Sequence, residues 1–318
     1  MERSEATVRP VRLTGMRYGA RDIVLYEFEA LDDRPLAPAQ AGAHLDVFMP
    51  GARIRQYSLL SPLCDARRYV IGVKREQAGR GGSLWLHDDA RVGQMLDVGA
   101  PRNHFALGES EAPVVLLAGG IGITPIYSMF RALRDQQRPV HLHYWCRSAE
   151  HALFREELEG CAQVSLHYSP AAGQARVAVR DLLRGLSIDT EVYACGPQRM
   201  LDELASVADH LGPRLHLERF QSAEPLPVAE HAFTVVLARS GSEVAVAPGQ
   251  SILDALLAAG ADVMYSCEQG ICGACEVKVI DGSPVHRDSV YSADEHGRRG
   301  TMMICCSSNA SGRLVLDI

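Results

Sequence analysis

Ser266-Cys267-Glu268-Gln269-Gly270-Ile271-Cys272-Gly273-Ala274-Cys275 is the stretch on which the reading of this chain turns. It holds a C-x4-C-x2-C run, and Cys305 follows with 29 residues between it and Cys275. Plant-type 2Fe–2S centres are ligated with this spacing. Two irons need four thiolates aimed into one small volume, and a loop that supplies three of them must curl tightly. Gly270 and Gly273 allow the backbone angles of such a curl and let amide N–H groups approach the sulfurs. A structural zinc site would prefer two short cysteine pairs, and only one C-x2-C pair is present. Cys305 and Cys306 are adjacent, so spacing alone leaves the fourth ligand open between them.

The rest of the cysteine usage agrees. Of nine cysteines, five crowd between positions 267 and 306, and an odd total fits a disulfide framework poorly. Clustering of that kind points to metal ligation in a reducing compartment, hence a cytoplasmic protein. The opening MERSEATVRPVRL has no apolar run of the signal-peptide type, and no apolar stretch is long enough to span a bilayer. A net charge of −7 argues against a nucleic-acid partner, which calls for a basic face. At 318 residues the chain has room for two or three domains.

Three textures succeed one another. Residues 1–108 carry short β-type runs at 7–13, 23–29, 44–48, 56–60 and 69–74, punctuated by Gly, Pro and Asp, which predicts an antiparallel β-barrel or sandwich. Residues 109–222 alternate strands (114–118, 141–145, 164–168, 191–194) with helices (125–134, 151–159, 179–186, 198–211), the pattern of an α/β parallel sheet. Residues 223–230 read as a linker. A smaller α+β unit, 231–318, contains the cysteine run.

Two turns in the second segment suit a dinucleotide. Gly119-Gly120-Ile121-Gly122-Ile123-Thr124-Pro125 follows a buried strand and opens a helix, with Pro125 in the first turn where no N–H is needed. Pro125 stands where the full fingerprint would have its third glycine. Cys195-Gly196-Pro197 ends a later strand at the same carboxyl edge of the sheet, where ligands of such sheets bind. Arg147 and Ser148 are candidates for the adenosine side. His141 and His143 alternate along a strand and read as structural.

In the first segment, Arg55-Gln56-Tyr57-Ser58 lies on a strand that sends Arg55 and Tyr57 to one face and Ser58 to the other. Gly79-Arg80-Gly81-Gly82-Ser83 then precedes a short helix that Ser83 could cap, with glycine amides free for a phosphate. A cation, a phenol, a hydroxyl and a phosphate cradle suggest a mononucleotide, flavin being one candidate.

Taken together, R-x-Y-S at 55–58, GRGGS at 79–83, GGIGITP at 119–125, CGP at 195–197 and the cysteine signature resemble phthalate dioxygenase reductase and its relatives, including the reductases of vanillate O-demethylase systems. The resemblance covers essentially the whole chain in the order flavin, nicotinamide, ferredoxin. It implies a ferredoxin-reductase-like FMN barrel, an NAD domain and a β-grasp plant-type ferredoxin domain. It further implies that Arg55 and the amides of Gly81, Gly82 and Ser83 hold the FMN phosphate. Gln56, Tyr57 and Ser58 would line the flavin, with Ser58 toward its reactive edge, and Val73 and Lys74 would edge its pyrimidine side. Thr124 would stand between flavin and nicotinamide. Gly120 and Gly122 would face the pyrophosphate, with Cys195 near the nicotinamide and Gly196 and Pro197 also binding the cofactor, and Phe220 would flank the flavin. Cys267, Cys272, Cys275 and Cys305 would ligate the cluster, leaving Cys306 as a small buried apolar residue. Where the family often carries a basic residue, this chain has Ser308.

The implied activity is that of the reductase component of a Rieske-type oxygenase. Electrons would pass from NADH, or NADPH, through FMN and 2Fe–2S to a separate oxygenase protein, the reductase itself being a monomer. Ser58, Thr124 and Cys195 would attend the hydride step. No catalytic triad is needed, because the protein's work is to position and tune its cofactors. A stand-alone NAD(P)H diaphorase reducing quinones or ferric chelates is the alternative, and the complete C-terminal ferredoxin unit argues against it. A self-contained oxygenase is not expected, since the twelve histidines show no Rieske pattern and no clear two-His-one-carboxylate set.

Overall fold

The computed structural model describes residues 8–51, 53–60, 67–169, 177–183, 185–207, 211–220, 231–291 and 293–318. Two compact units emerge, Met1–Arg219 and Phe220–Ile318. The segment expected to be a linker, 223–230, lies outside the described residues.

The first unit opens with β1 (Val8–Ala20), β2 (Ile23–Ala30), β3 (His44–Met49), β4 (Arg53–Ser58), β5 (Arg68–Lys74) and, after helix α1 (Gly82–Asp88), β6 (Met95–Gly99). They pair antiparallel in the order β4-β3-β6-β1-β2-β5. Leu59, just past β4, bridges Ile71 of β5, so the two ends of that order meet. Alternation makes the interior: Val11 and Leu13 are buried while Arg12 between them is exposed. Strand β5 is buried on both faces. Tyr69, Ile71 and Val73 enter the core of its own sheet, whereas Val70 joins the core that covers the next one.

That next sheet follows from β7 (Val114–Gly119), α2 (Ile123–Asp135), β8 (Val140–Cys146), α3 (Arg155–Leu158), β9 (Val164–Tyr168), α4 (Val179–Leu183), β10 (Glu191–Cys195), α5 (Gln198–Val207) and β11 (Leu215–Glu218). Its strands run parallel in the order β11-β10-β7-β8-β9. Every residue of the central strand β7 is buried, as a strand covered on both faces requires. The helix expected over 151–159 shrinks to α3, because Phe154 takes a left-handed φ of 60° that ends the preceding turn. In that position its ring stacks on Tyr127 with centroids 3.9 Å apart.

The second unit contains β12 (Phe233–Leu237), β13 (Glu243–Val246), α6 (Ile252–Ala258), β14 (Glu276–Asp281), β15 (Pro284–Val285), α7 (Ala293–Arg299), β16 (Thr301–Met303), β17 (Ser308–Asn309) and β18 (Arg313–Leu316). Its main sheet has the order β13-β12-β18-β14-β16, with β12 and β18 parallel and the other pairs antiparallel. Helix α6 starts at Ser251, whose hydroxyl accepts the Asp254 amide at 3.0 Å. At the same end the Leu253 amide donates to the Ile304 carbonyl at 3.0 Å, tying the helix to the residue before Cys305.

Candidate redox sites

The cysteine loop joins α6 to β14 and makes no regular structure over Ser266–Cys272. It turns by left-handed backbone at Glu268, Gly270 and Gly273, with φ of 55°, 67° and 70°. Cys267, Cys272, Cys275 and Cys305 are all buried free thiols. The Cys267 side chain contacts the thiols of Cys272 and Cys305, and its sulfur accepts the Gln269 amide at 3.3 Å. Contact with Cys267 and burial push the Cys272 thiol up. Crowded, buried thiols resist ionising by themselves, and a cationic centre that takes them as thiolates relieves that cost. The donor set therefore fits an iron–sulfur cluster. Cys306 touches the Cys305 thiol, which with burial pushes it up too, but its thiol also donates to the Met303 carbonyl at 3.7 Å and its sulfur packs against Gly270, where a Cβ would stand 2.7 Å away. Ser308 is buried in β17, paired with Val285, so it presents no docking surface.

In the first unit the two Gly-rich turns touch each other. A Cβ on Gly122 would fall 2.3 Å from the Cys195 carbonyl oxygen, and one on Gly119 would fall 2.5 Å from the Pro197 ring. These glycines serve close packing of the β7 and β10 turns. Gly120, at φ 55°, has nothing within 4 Å of its missing Cβ, leaving its surroundings open. The helix begins earlier than Pro125, since a 3-10 turn at Gly120–Gly122 runs directly into α2. Thr124 is buried, donates to the Ile121 carbonyl at 2.9 Å, and its methyl lies against Gly72 of β5. The residue expected between the two cofactors thus sits where the flavin-type sheet meets the nucleotide-type sheet, beside Val73. Ser148, a candidate for the adenosine side, has its hydroxyl 2.8 Å from His151 Nδ1.

Ser58 ends β4 buried, while Arg55, Gln56 and Tyr57 are half-buried. The Arg55 guanidinium donates to the Arg80 carbonyl at 2.7 Å, and its stem packs on Gly82 so closely that a Cβ there would fall 2.6 Å from it. R-x-Y-S and GRGGS are therefore joined in space. Gln56 donates to Asp46 at 2.6 Å, the carboxylate that also receives Arg102 at 2.7 Å. Burial pushes the Tyr57 phenol up, keeping it neutral. Ser83 does not cap α1: Gly81, left-handed at φ 81°, takes the N-cap, and the Ser83 hydroxyl accepts the Glu76 amide at 3.1 Å. Val73 is buried and its carbonyl lies 3.0 Å from His87 Nε2, while Lys74 reaches Glu76 at 3.2 Å. Phe220 is 39% exposed.

Two features were not read from the sequence. Glu218 pairs in register with Cys195 across β10 and β11. Its Oε2 is sealed from solvent with no hydrogen-bond partner, and burial raises its pKa to about 8. Burial, together with Glu218, pushes the Cys195 thiol well up. No motif announces this pair, because the parallel register of two strands creates it. The second feature is a correction: His286, Asp288 and His296 do converge as two histidines and a carboxylate. The sequence hid this because α7 brings His296 back onto the 286–288 segment. His141 and His143 agree with a structural reading, meeting Ser165 at 2.8 Å and His167 at 3.0 Å on the neighbouring strand.

Comparison with known proteins matches the second and third segments. Residues 235–309 fit the model of a 2Fe-2S iron-sulfur cluster binding domain, and residues 116–205 fit that of an oxidoreductase NAD-binding domain. The class is an NAD(P)H-dependent iron–sulfur flavin oxidoreductase using FMN, NADH and a 2Fe–2S cluster. Phenoxybenzoate dioxygenase subunit beta of Ectopseudomonas oleovorans is 44% identical over 98% of this chain and 99% of its own. Tetrachlorobenzoquinone reductase of Sphingobium chlorophenolicum is 43% identical over 94% of each chain. Among solved structures, phthalate dioxygenase reductase superposes with a TM-score of 0.71 at 35% identity, covering 98% of both chains. An intact type IV self-sufficient cytochrome P450 monooxygenase superposes with a TM-score of 0.89 at 38% identity, over 98% of this chain but 41% of that one. The chain belongs to the phthalate dioxygenase reductase-like family.

Proposed function

We propose that this protein is the reductase component of a two-component Rieske-type oxygenase, aromatic-ring-attacking or O-demethylating, and passes electrons from NADH to a separate oxygenase protein. The observation that carries the reading is a set of four buried thiols, three from one loop and the fourth Cys305, fit for a cluster and in one chain with a nicotinamide fold. When bound, flavin takes two electrons as hydride and releases them singly, while a 2Fe–2S cluster carries one at a time.

In this proposal residues 1–108 form an FMN barrel, 109–222 the NAD domain and 231–318 a β-grasp ferredoxin. The Leu59–Ile71 bridge supports the first and the parallel β12–β18 pair the last. Arg55, braced on Arg80, would hold the phosphate with the amides of Gly81, Gly82 and Ser83. Gln56, already engaged by Asp46, Tyr57, Ser58 and the backbone of Val73 and Lys74 would line the ring, with Phe220 flanking it. Thr124 would separate the two rings. Gly120, with open space before it, would face the pyrophosphate together with Gly196 and Pro197. Gly122 would keep the two turns close enough for Cys195 to reach the nicotinamide. Cys267, Cys272, Cys275 and Cys305 would hold the cluster, the Cys306 thiol being committed to Met303. Free thiols at all eight cysteines among the described residues support a reducing cytoplasm. The relation between copies is proposed as monomeric. Among the described residues no helix is long and apolar enough to cross a membrane.

The relative named a quinone reductase keeps direct quinone reduction as a second reading. Visible spectra recorded anaerobically with NADH, beside rates with a Rieske oxygenase and with a quinone, separate the two. Flavin absorption near ~450 nm and cluster absorption toward ~550 nm should bleach together. Turnover with the oxygenase should require the cluster. Quinone turnover that persists without the cluster, and no transfer to any oxygenase, would favour the second reading.

A further inference from the structure

The redox reading leaves one buried cluster of ligand-type side chains unused. In the second unit, His286, Asp288 and His296 each offer a ligand atom, all within 4.8 Å of one another. The Asp288 side chain is 0% exposed and that of His296 4%. Asp288 Oδ2 accepts the amides of Val290 and Tyr291 at 3.1 and 3.2 Å, which fixes the carboxylate and leaves Oδ1 facing His296 Nε2 at 3.1 Å. The His286 and His296 rings stack with centroids 3.7 Å apart. His286 Nδ1 and His296 Nδ1 are buried without a hydrogen bond, while Asp288 Oδ1 and His296 Nε2, also buried, meet only each other as an ion pair without hydrogen-bond geometry. Buried polar atoms normally find partners, and leaving several unsatisfied in one spot is costly. A cation would satisfy them together.

We infer that His286, Asp288 and His296 form a binding site for a divalent cation of the zinc class. Two imidazoles and one carboxylate make a three-ligand set that leaves a position for water, and they suit Zn2+ better than the hard cations Ca2+ or Mg2+. A cavity of about 540 Å³, lined by Pro284, His286, His296, Gly297, Gly300 and Thr301, adjoins the site. It supplies the route for the ion and the space in which the stacked rings tilt until their lone pairs converge. The position gives the ion a task. Asp288 lies against Gly270, where a Cβ would stand 3.1 Å from the Asp288 Cα, and the Ser289 amide donates to the Gly270 carbonyl at 2.8 Å. An ion here clamps α7 to the segment that braces the cysteine loop.

The holoprotein, carrying flavin and cluster and cleared of loosely held metal, is dialysed against Zn2+ alone and its metal content measured by mass spectrometry. We expect one zinc per chain beyond the cluster iron, held about tenfold or more weakly in His286→Gln and His296→Gln, with the cluster's visible and EPR spectra unchanged. His143→Gln, at the His143–His167 pair of the other unit, should retain the zinc. X-ray absorption at the zinc edge of the unmutated protein, which needs no variant to fold, should show nitrogen and oxygen neighbours. No saturable uptake, loss of the zinc in His143→Gln instead, or sulfur neighbours at the zinc would each overturn the inference. In those cases His296 and Asp288 are simply a buried ion pair.

Discussion

The cysteine loop and the nicotinamide-side turns solve the same problem, holding a cofactor close to backbone, in opposite ways. Three of the four thiols come from one loop, 267–275, and the glycines there serve the loop's own curvature, with φ of 67° at Gly270 and 70° at Gly273. The nucleotide side is assembled from turns about seventy residues apart, and Gly119 and Gly122 adopt ordinary negative φ. They are small because another turn leans on them. A site made within one loop fails one ligand at a time. A site made between turns fails whenever the turns separate.

The largest expected effect breaks the two regions apart. Cys272→Ser removes one of the four thiols and changes no residue of the first unit. NADH should still bleach the flavin, while one-electron reduction of cytochrome c falls by about a hundredfold or more, a loss set by removing the obligate one-electron carrier. Stopped-flow spectra of the variant check both halves. Full cytochrome c activity in a cluster-free protein would show that electrons leave from the flavin directly.

Next in size is a contrast inside one turn. Gly122→Ala keeps an allowed backbone but drives a methyl to 2.3 Å from the Cys195 carbonyl oxygen and 2.8 Å from the Gly196 nitrogen, both backbone atoms that cannot rotate away. Overpacking of this sort costs about 1–3 kcal/mol, and separated turns should also raise KM for NADH. Gly120→Ala meets open space and bears only the left-handed strain of about 1–2 kcal/mol. Thermal unfolding and NADH kinetics of the pair test whether packing or conformation dominates: a KM raised more at position 120 would locate the dinucleotide closer to that residue than the packing argument requires.

The same contrast explains what the sequence disclosed. The cysteine loop was legible because three of the four thiols lie within nine residues of one another, and β7 was legible because a strand covered on both faces must be continuously apolar. The Cys195–Glu218 pair was not, since it depends on the register of β10 with β11, which no local pattern encodes. The helix at 151–159 was overestimated because its composition favours helix, while the tertiary stack of Phe154 on Tyr127 claims a left-handed residue at its start. Ser83 looked like a cap by type, yet left-handed Gly81 had already opened the helix two residues earlier. The three-ligand cluster at 286, 288 and 296 escaped because α7 folds His296 back over a segment that composition does not distinguish from a loop.

Glu218 gives a smaller effect with a definite sign. Its pKa rises from an ordinary 4.5 to about 8 because burial disfavours the charged carboxylate. The folded protein therefore keeps this proton at pH values where the unfolded chain has released it. Stability contributed by the group is full below about pH 4.5 and is lost as pH rises toward 8. Glu218→Gln cannot ionise, so the difference in Tm between the native protein and this variant should shift in the variant's favour across that window. His143, whose pKa burial lowers to about 4, titrates in both proteins and cancels in the difference. A difference that stays flat from pH 5 to 8.5 would mean that Glu218 is solvated in the folded protein.

The smallest effect asks whether the cysteine loop depends on its own scaffold as little as a contiguous site should. Ser251→Ala removes the N-cap of α6, a hydroxyl that accepts the Asp254 amide at 3.0 Å, and should cost about 1 kcal/mol. The loss falls at a sensitive place, because in the same first turn the Leu253 amide is held by the Ile304 carbonyl, one residue before Cys305. If the thiols are positioned by the loop itself, the variant unfolds at lower denaturant while its visible and EPR spectra match those of the native protein. If α6 instead sets the position of Cys305, the spectra change along with stability. The cysteine loop then becomes a site made between elements, and the distinction from the nucleotide side narrows to one of degree.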